Sequence, residues 1–205
     1  MFSEIEYSIQ QQDLLENLEN NYVLKVTVLK SDCTIIDIYQ SCMEAAKTAI
    51  KVFDSRILDY NKILAYQGRI LPVDIDKRYK LYTYPDILPK GKLISLNEFI
   101  GKGLNIETLT LTRTGLSFTE SNLGLIFALF HEPHGGGVYR KGDDDFIRDF
   151  FAAFLPSIEN YIIYKWSDDW SNYFDSGKEY WGTFFWTLYN KTTQEITVIA
   201  ASATD

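Results

Sequence analysis

Hydrophobic positions change their spacing along this chain, and each change predicts an element. Over residues 8–20, Ile9, Leu14, Leu15 and Leu18 stand among polar residues, which predicts a short amphipathic helix. "YVLKVTVLK", 22–30, is β-branched and partly alternating, and reads as a strand. From there Ile35, Ile38, Tyr39, Cys42, Ala46, Ala49, Ile50 and Phe53 recur at spacings of three and four. That pattern predicts a helix of about five turns packed on one face, opened by Thr34 and Asp37 in a variant of the capping box. The stretch 54–105 mixes "RILPVD" and "RYKLYTYPDILPKGK" with prolines at 72, 85 and 89, and reads as short strands with irregular connections. Within it, "SLNEFIG", 95–101, predicts one helical turn capped by Ser95 and stopped by Gly101.

The second half is richer in strand signals. "IETLTLTRT", 106–114, alternates like a half-buried strand, and "NLGLIFALF", 122–130, is apolar throughout, like a central strand. Phe146, Ile147, Phe150, Phe151 and Phe154 form a helical stripe that Asp143 can cap and Pro156 stops. "NYIIYKW", 160–166, "YWGTFFWTLY", 180–189, and "EITVIAAS", 195–202, predict three more strands, the last two joined by a turn at "NKTTQ". Strands follow strands without an obligatory helix between them. The expectation is one α+β domain over 1–205, a mainly antiparallel sheet flanked by helices.

Composition narrows the function classes. The chain has 205 residues, 46% hydrophobic and 15% aromatic, enough for a sizeable core. Its net charge of −8 disfavours nucleic acid and anionic membrane, and the basic runs "KGK" and "RK" are too short to offset it. The longest strongly apolar run, "LGLIFALF", is too short to span a bilayer. The N-terminal stretch is acidic, without the basic region and apolar run of a secretory signal. Cys33 and Cys42, if set along one helix, stand roughly 13 Å apart at about 1.5 Å per residue, beyond the roughly 7 Å limit of a disulfide. Reduced thiols fit a cytoplasmic protein.

Two stretches are candidate sites. All four tryptophans lie in "WSDDWSNYFDSGKEYWGTFFW", 166–186. Trp186 reads as a core residue of its strand. In 167–179 the simplest reading is a compact loop that packs Trp170, Tyr173 and Phe174 against the sheet, with Trp170 held less firmly than Trp186. The functional reading of the same residues is a binding surface, in which Asp168, Asp169 and Asp175 draw in a basic protein partner while Trp170 and Tyr173 hold it. A sugar-stacking tryptophan, a glycosidase carboxylate pair and a calcium loop are weaker alternatives. The EF-hand pattern fails, because Trp170 occupies the third ligand position.

"HEPHGGGVYRKGDDD", 131–145, contains both histidines. His131 and His134 with Glu132 or a nearby aspartate suggest metal, but Pro133 bars a helical His motif. Gly135, Gly136, Gly137 and Arg140 suggest phosphate, but three aspartates follow and the Gly-Lys-Ser/Thr ending is missing. A chain-reversing turn fits better, and neither a metal nor a cofactor is expected. No G-x-S-x-G occurs, and neither cysteine adjoins a histidine. The sequence therefore reads as a non-catalytic protein-binding domain; small inhibitor and immunity-type proteins share this composition. The alternative is an enzyme or small-ligand-binding domain. Its pocket would join the 131–145 turn (His131, Glu132, His134, Arg140) to the 167–179 loop.

Overall fold

The computed structural model describes residues 1–69, 83–112, 123–131, 142–178 and 182–202. Ser8 opens the first helix, α1 (Ile9–Asn21), through a capping box with Gln11. Leu14, Leu15 and Leu18 are buried as the pattern predicts, but Ile9 is 79% exposed, because it precedes the face that meets the core. Strand β1 (Phe2–Glu4) precedes this helix, and β2 (Leu24–Ser31) follows it.

The second helix departs from expectation at both ends. α2 spans Ile38–Tyr66, and its cap is Asp37, whose side chain accepts from the Gln40 N–H. Thr34 and Ile35 lie outside it. It runs 29 residues, well past Phe53. Burial thins beyond Phe53: Tyr60, Ile63 and Tyr66 are exposed, while Asn61 is buried. Ala45, Ala46 and Ala49 are all fully buried, and these small side chains let the helix lie close to the strands.

The main sheet has six strands in the order β1-β2-β8-β7-β6-β3, every pairing antiparallel. Its remaining strands are β3 (Gly91–Ile94), β6 (Tyr161–Trp166), β7 (Thr183–Asn190) and β8 (Glu195–Ser202). The β7–β8 hairpin closes as the sequence predicts: the Asn190 side-chain carbonyl accepts from the N–H groups of Thr192 and Thr193. Both faces of the sheet are covered, as α+β layering requires. On one face lie α2 and the 170–174 segment, packed on Phe185, Tyr189, Val198 and Ala200. On the other lie α1, α3 (Leu96–Ile100), α4 (Leu125–Phe130) and α5 (Asp143–Phe154), packed on Phe184, Trp186, Leu188 and Ile199. Alternation along β7 thus feeds two cores, and the side of this strand read as mixed is buried as well.

Two further expectations are corrected. Residues 125–130, read as a central strand, are the helix α4, with all six side chains buried. A short apolar run fits a buried strand or a fully enclosed helix turn equally well, and periodicity cannot separate them. Enclosure decided it: α4 meets α3 so closely that a Cβ on Gly124 would stand 2.5 Å from the Gly101 nitrogen. Residues 106–109, read as strand, are a turn in which Asn105 Oδ1 accepts from the N–H groups of Glu107 and Thr108. Only β5 (Thr110–Leu111) is extended, paired with β4 (Leu104–Asn105). Residues 113 and 114, and the strand-like "ILPVD" at 70–74, lie outside the described residues.

The capped turn at α3 matches its prediction. Ser95 and Glu98 form the full capping box, and Gly101 ends the helix at φ 73°. In α5 the aromatic stripe is buried as read, but Gly142 is the cap residue and Asp143 is the first helical residue, itself buried. Asp144 ties the helix to β5 by accepting from the Leu111 N–H at 2.7 Å.

Candidate functional site

The acidic, aromatic segment begins where β6 ends. Ser167 extends the pairing with β3 by one step: its N–H donates to the Lys90 carbonyl at 2.9 Å, and its hydroxyl accepts from the Lys90 N–H at 3.2 Å. The chain then turns into the core. Trp170 is fully buried, its indole N–H donating to the Ser167 carbonyl at 2.6 Å. Its ring meets Phe174 and Phe185 edge to face, with centroids 5.3 and 5.4 Å away. Ser171 caps a 3-10 turn (Asn172–Phe174) that buries Tyr173 and Phe174, and a helical turn, α6 (Asp175–Lys178), follows. Two short helical turns thus stand in the segment that the sequence reads as a compact loop. Packing the aromatics on the sheet is the arrangement found.

The rest of the chain clamps it. The Tyr84 N–H donates to the Trp170 carbonyl at 2.8 Å, and Thr83 bridges Ser171 as a one-residue antiparallel pair. At the far end the Gly177 N–H donates to Ser202 Oγ at 3.1 Å, and the Gly182 N–H to the Gly177 carbonyl at 2.8 Å. A Cβ on Gly177 would stand 2.4 Å from the Gly182 carbonyl oxygen, so only glycine allows this approach.

The acids are left at the surface. Asp168 is half-buried and accepts from Thr183 Oγ1 at 2.6 Å. Asp169 is exposed and accepts from Ser167 Oγ at 2.6 Å; that hydrogen bond holds its carboxyl below the usual range. Asp175 is exposed, accepting from the Tyr84 hydroxyl at 3.2 Å and lying 3.5 Å from Lys178 Nζ. The five residues chosen from sequence thus divide: three carboxylates face outward, while Trp170 and Tyr173 are turned into the core and cannot hold a partner.

Exposed apolar side chains stand at the same end of the sheet. Leu93 is 61% exposed opposite Tyr164, and the Tyr39 ring packs on Tyr164 with centroids 5.4 Å apart. The Tyr39 hydroxyl accepts from the Gly91 N–H at 3.2 Å, and Leu88, two residues before the Lys90–Ser167 pairing, is exposed too. Sequence pattern gave no sign of these residues, because exposure of an apolar side chain depends on where the sheet ends.

The second candidate stretch is described only in part. His131 follows α4, its ring 4.4 Å from Phe127, and burial lowers its pKa. Glu132, His134 and Arg140 lie outside the described residues. Phe127 belongs to one core and Trp170, Tyr173 and Phe174 to the other, so the sheet separates their described parts. Among the described residues no three His, Cys, Asp or Glu side chains are grouped to hold a metal ion. Nor, among the described residues, is any helix long and apolar enough to cross a membrane.

Together these observations define an α+β domain with two cores, carrying a clamped acidic segment at one end of its sheet. Compared with known proteins, the chain matches no family model and no curated protein.

Proposed function

We propose that this is a non-catalytic protein-binding domain, and that the end of the sheet carrying Asp168, Asp169 and Asp175 is its partner-facing surface. The observation that carries the reading is the clamp. A segment with three carboxylates is fixed by buried aromatic rings and by hydrogen bonds to Lys90, Tyr84 and Ser202. A surface held in advance loses little entropy on binding. The net charge of −8 favours a basic partner, with the acids accelerating encounter. Tyr39, Leu88 and Leu93 take over the contact role that composition assigned to Trp170 and Tyr173. An inhibitor- or immunity-type role and a cytoplasmic setting are the forms of this proposal that composition and the two free cysteines suggest.

The test is a binding titration, at two salt concentrations, against the basic protein that co-purifies from the native cell. Asp169→Asn with Asp175→Asn slows association and flattens its salt dependence. Leu93→Ser mainly speeds dissociation. Unchanged rates in both variants sink the proposal.

A further inference from the structure

β3 closes one side of the sheet, and no described strand lies beyond it. In an antiparallel ladder, alternate residues point their N–H and C=O groups toward the neighbouring strand and away from it. The Ser167 N–H donates to the Lys90 carbonyl, so Lys90, Lys92 and Ile94 point inward, the last two opposite Lys165 and Ile163. Gly91 and Leu93 point outward. Tyr39 agrees with this direction, because its hydroxyl accepts from the Gly91 N–H at 3.2 Å. The other outward groups, the Gly91 C=O and the N–H and C=O of Leu93, have no partner among the described residues. The two faces beside this edge differ. Leu93, 61% exposed, stands opposite Tyr164 and near the Tyr39 ring, on the face that α2 covers. On the other face Lys92 stands opposite Lys165 and pairs with Glu98 at 3.2 Å.

We infer that the edge of β3 receives an extended segment of the protein partner as an added strand, its apolar side chains on the Leu93 face and its polar ones on the Lys92 face. The inference rests on the binding surface proposed above and gives its mode of recognition. Outward backbone donors and acceptors are matched by the backbone of another strand. The contrast between Leu93 and Lys92 sets the alternation of that strand's side chains. The Tyr39 hydroxyl proton has no acceptor among the described residues, and it stands in for the Gly91 N–H that the same hydroxyl covers. A second copy of the chain fits the edge poorly in each two-fold register. Centred on Lys92, the pairing sets two lysines directly opposite each other, and like charges there repel. Centred on Leu93, it sets Gly91 against Ser95, whose N–H groups are already donated to Tyr39 and Glu98. Centred on Gly91, it sets Leu93 against Pro89, which has no N–H.

The probe is a short capped peptide that alternates valine and threonine between terminal lysines, titrated into the full chain and followed by NMR. It gives saturable shifts at Tyr39 and residues 91–94. At about ten times its Kd it slows solvent exchange of the Leu93 amide about tenfold. With its valine nitrogens methylated, the peptide keeps its side chains and charge, loses the donors that face β3, and binds about tenfold more weakly or worse. Leu93→Pro removes the outward N–H, leaves the β3–β6 ladder intact and weakens the unmethylated peptide about tenfold. The methylated peptide needs no variant, which keeps the test decisive if Leu93→Pro does not fold. The inference is overturned if Leu93 exchange is unchanged, if the methylated peptide binds as well, or if folded Leu93→Pro binds as wild type does. A dimer with its Leu93 amide already protected also overturns it, by seating a second copy on the edge. Both peptides carry the same charge, so backbone pairing is read apart from attraction by Asp169 and Asp175. Failure here leaves the acidic surface standing, whereas failure of the partner titration removes that surface.

Discussion

The rings of Trp170 and Phe185 meet edge to face, centroids 5.4 Å apart and planes at 85°. Phe185 lies on β7 directly before Trp186, whose own ring faces the opposite core and meets Phe99 at 5.4 Å. One strand therefore carries an aromatic anchor for each core.

Trp170 consequently behaves as a core residue, although it stands in a connecting segment. Trp170→Ala and Trp186→Ala each destabilise by roughly 3–5 kcal/mol, as expected for a buried aromatic. Denaturant melts of both variants check this. A clearly smaller loss for Trp170 would mean that its segment relaxes around the hole.

Tyr173 is buried against Phe53, Phe174 and Phe185, and its hydroxyl has no hydrogen-bond partner among the described residues. Burial pushes its pKa upward, so it stays neutral. Removing an unsatisfied buried hydroxyl relieves a desolvation cost, so Tyr173→Phe stabilises by about 1 kcal/mol. The measurement is the denaturant midpoint; a fall instead of a rise would reveal a polar contact for this oxygen.

Stability falls at alkaline pH. Burial raises the Cys42 thiol from 9.0 to about 12 and the Tyr7 hydroxyl from 10.0 to about 12. Both groups then hold their protons longer folded than unfolded. Their contribution is complete below pH 9 and is lost as pH rises toward 12. Urea melts across that range show a declining midpoint, and the decline is shallower in Cys42→Ala. An identical slope in that variant would remove Cys42 from the account.

Gly124 sits where α4 begins, and an added Cβ would meet backbone atoms of Phe99, Ile100 and Gly101 at 2.5–2.6 Å. Backbone cannot yield as a side chain end does. Gly124→Ala therefore destabilises by about 1–3 kcal/mol through overpacking. Thermal melting checks it, and an unchanged Tm would show that α3 and α4 can separate without cost.

The sequence by itself determined the elements whose pattern is local. Helical spacing in 146–154, alternation in 161–166, 183–190 and 195–202, and the Ser95–Glu98 capping box are all signals carried by near neighbours in the chain. The antiparallel α+β class followed from their order. Three things needed tertiary structure. The run 125–130 became helix because neighbours enclose it on every side, and enclosure leaves no periodicity to read. Trp170 and Tyr173 went inside while Asp169 and Asp175 stayed out, because Phe53 and Phe185 offered a surface contributed by elements far away in sequence. Lys25 and Arg56, 31 positions apart on a strand and a helix with ordinary patterns, came to share a cavity only when α2 crossed the sheet. Near-neighbour spacing determines which face of an element is apolar; which distant side chain meets that face is settled by the packing of the whole.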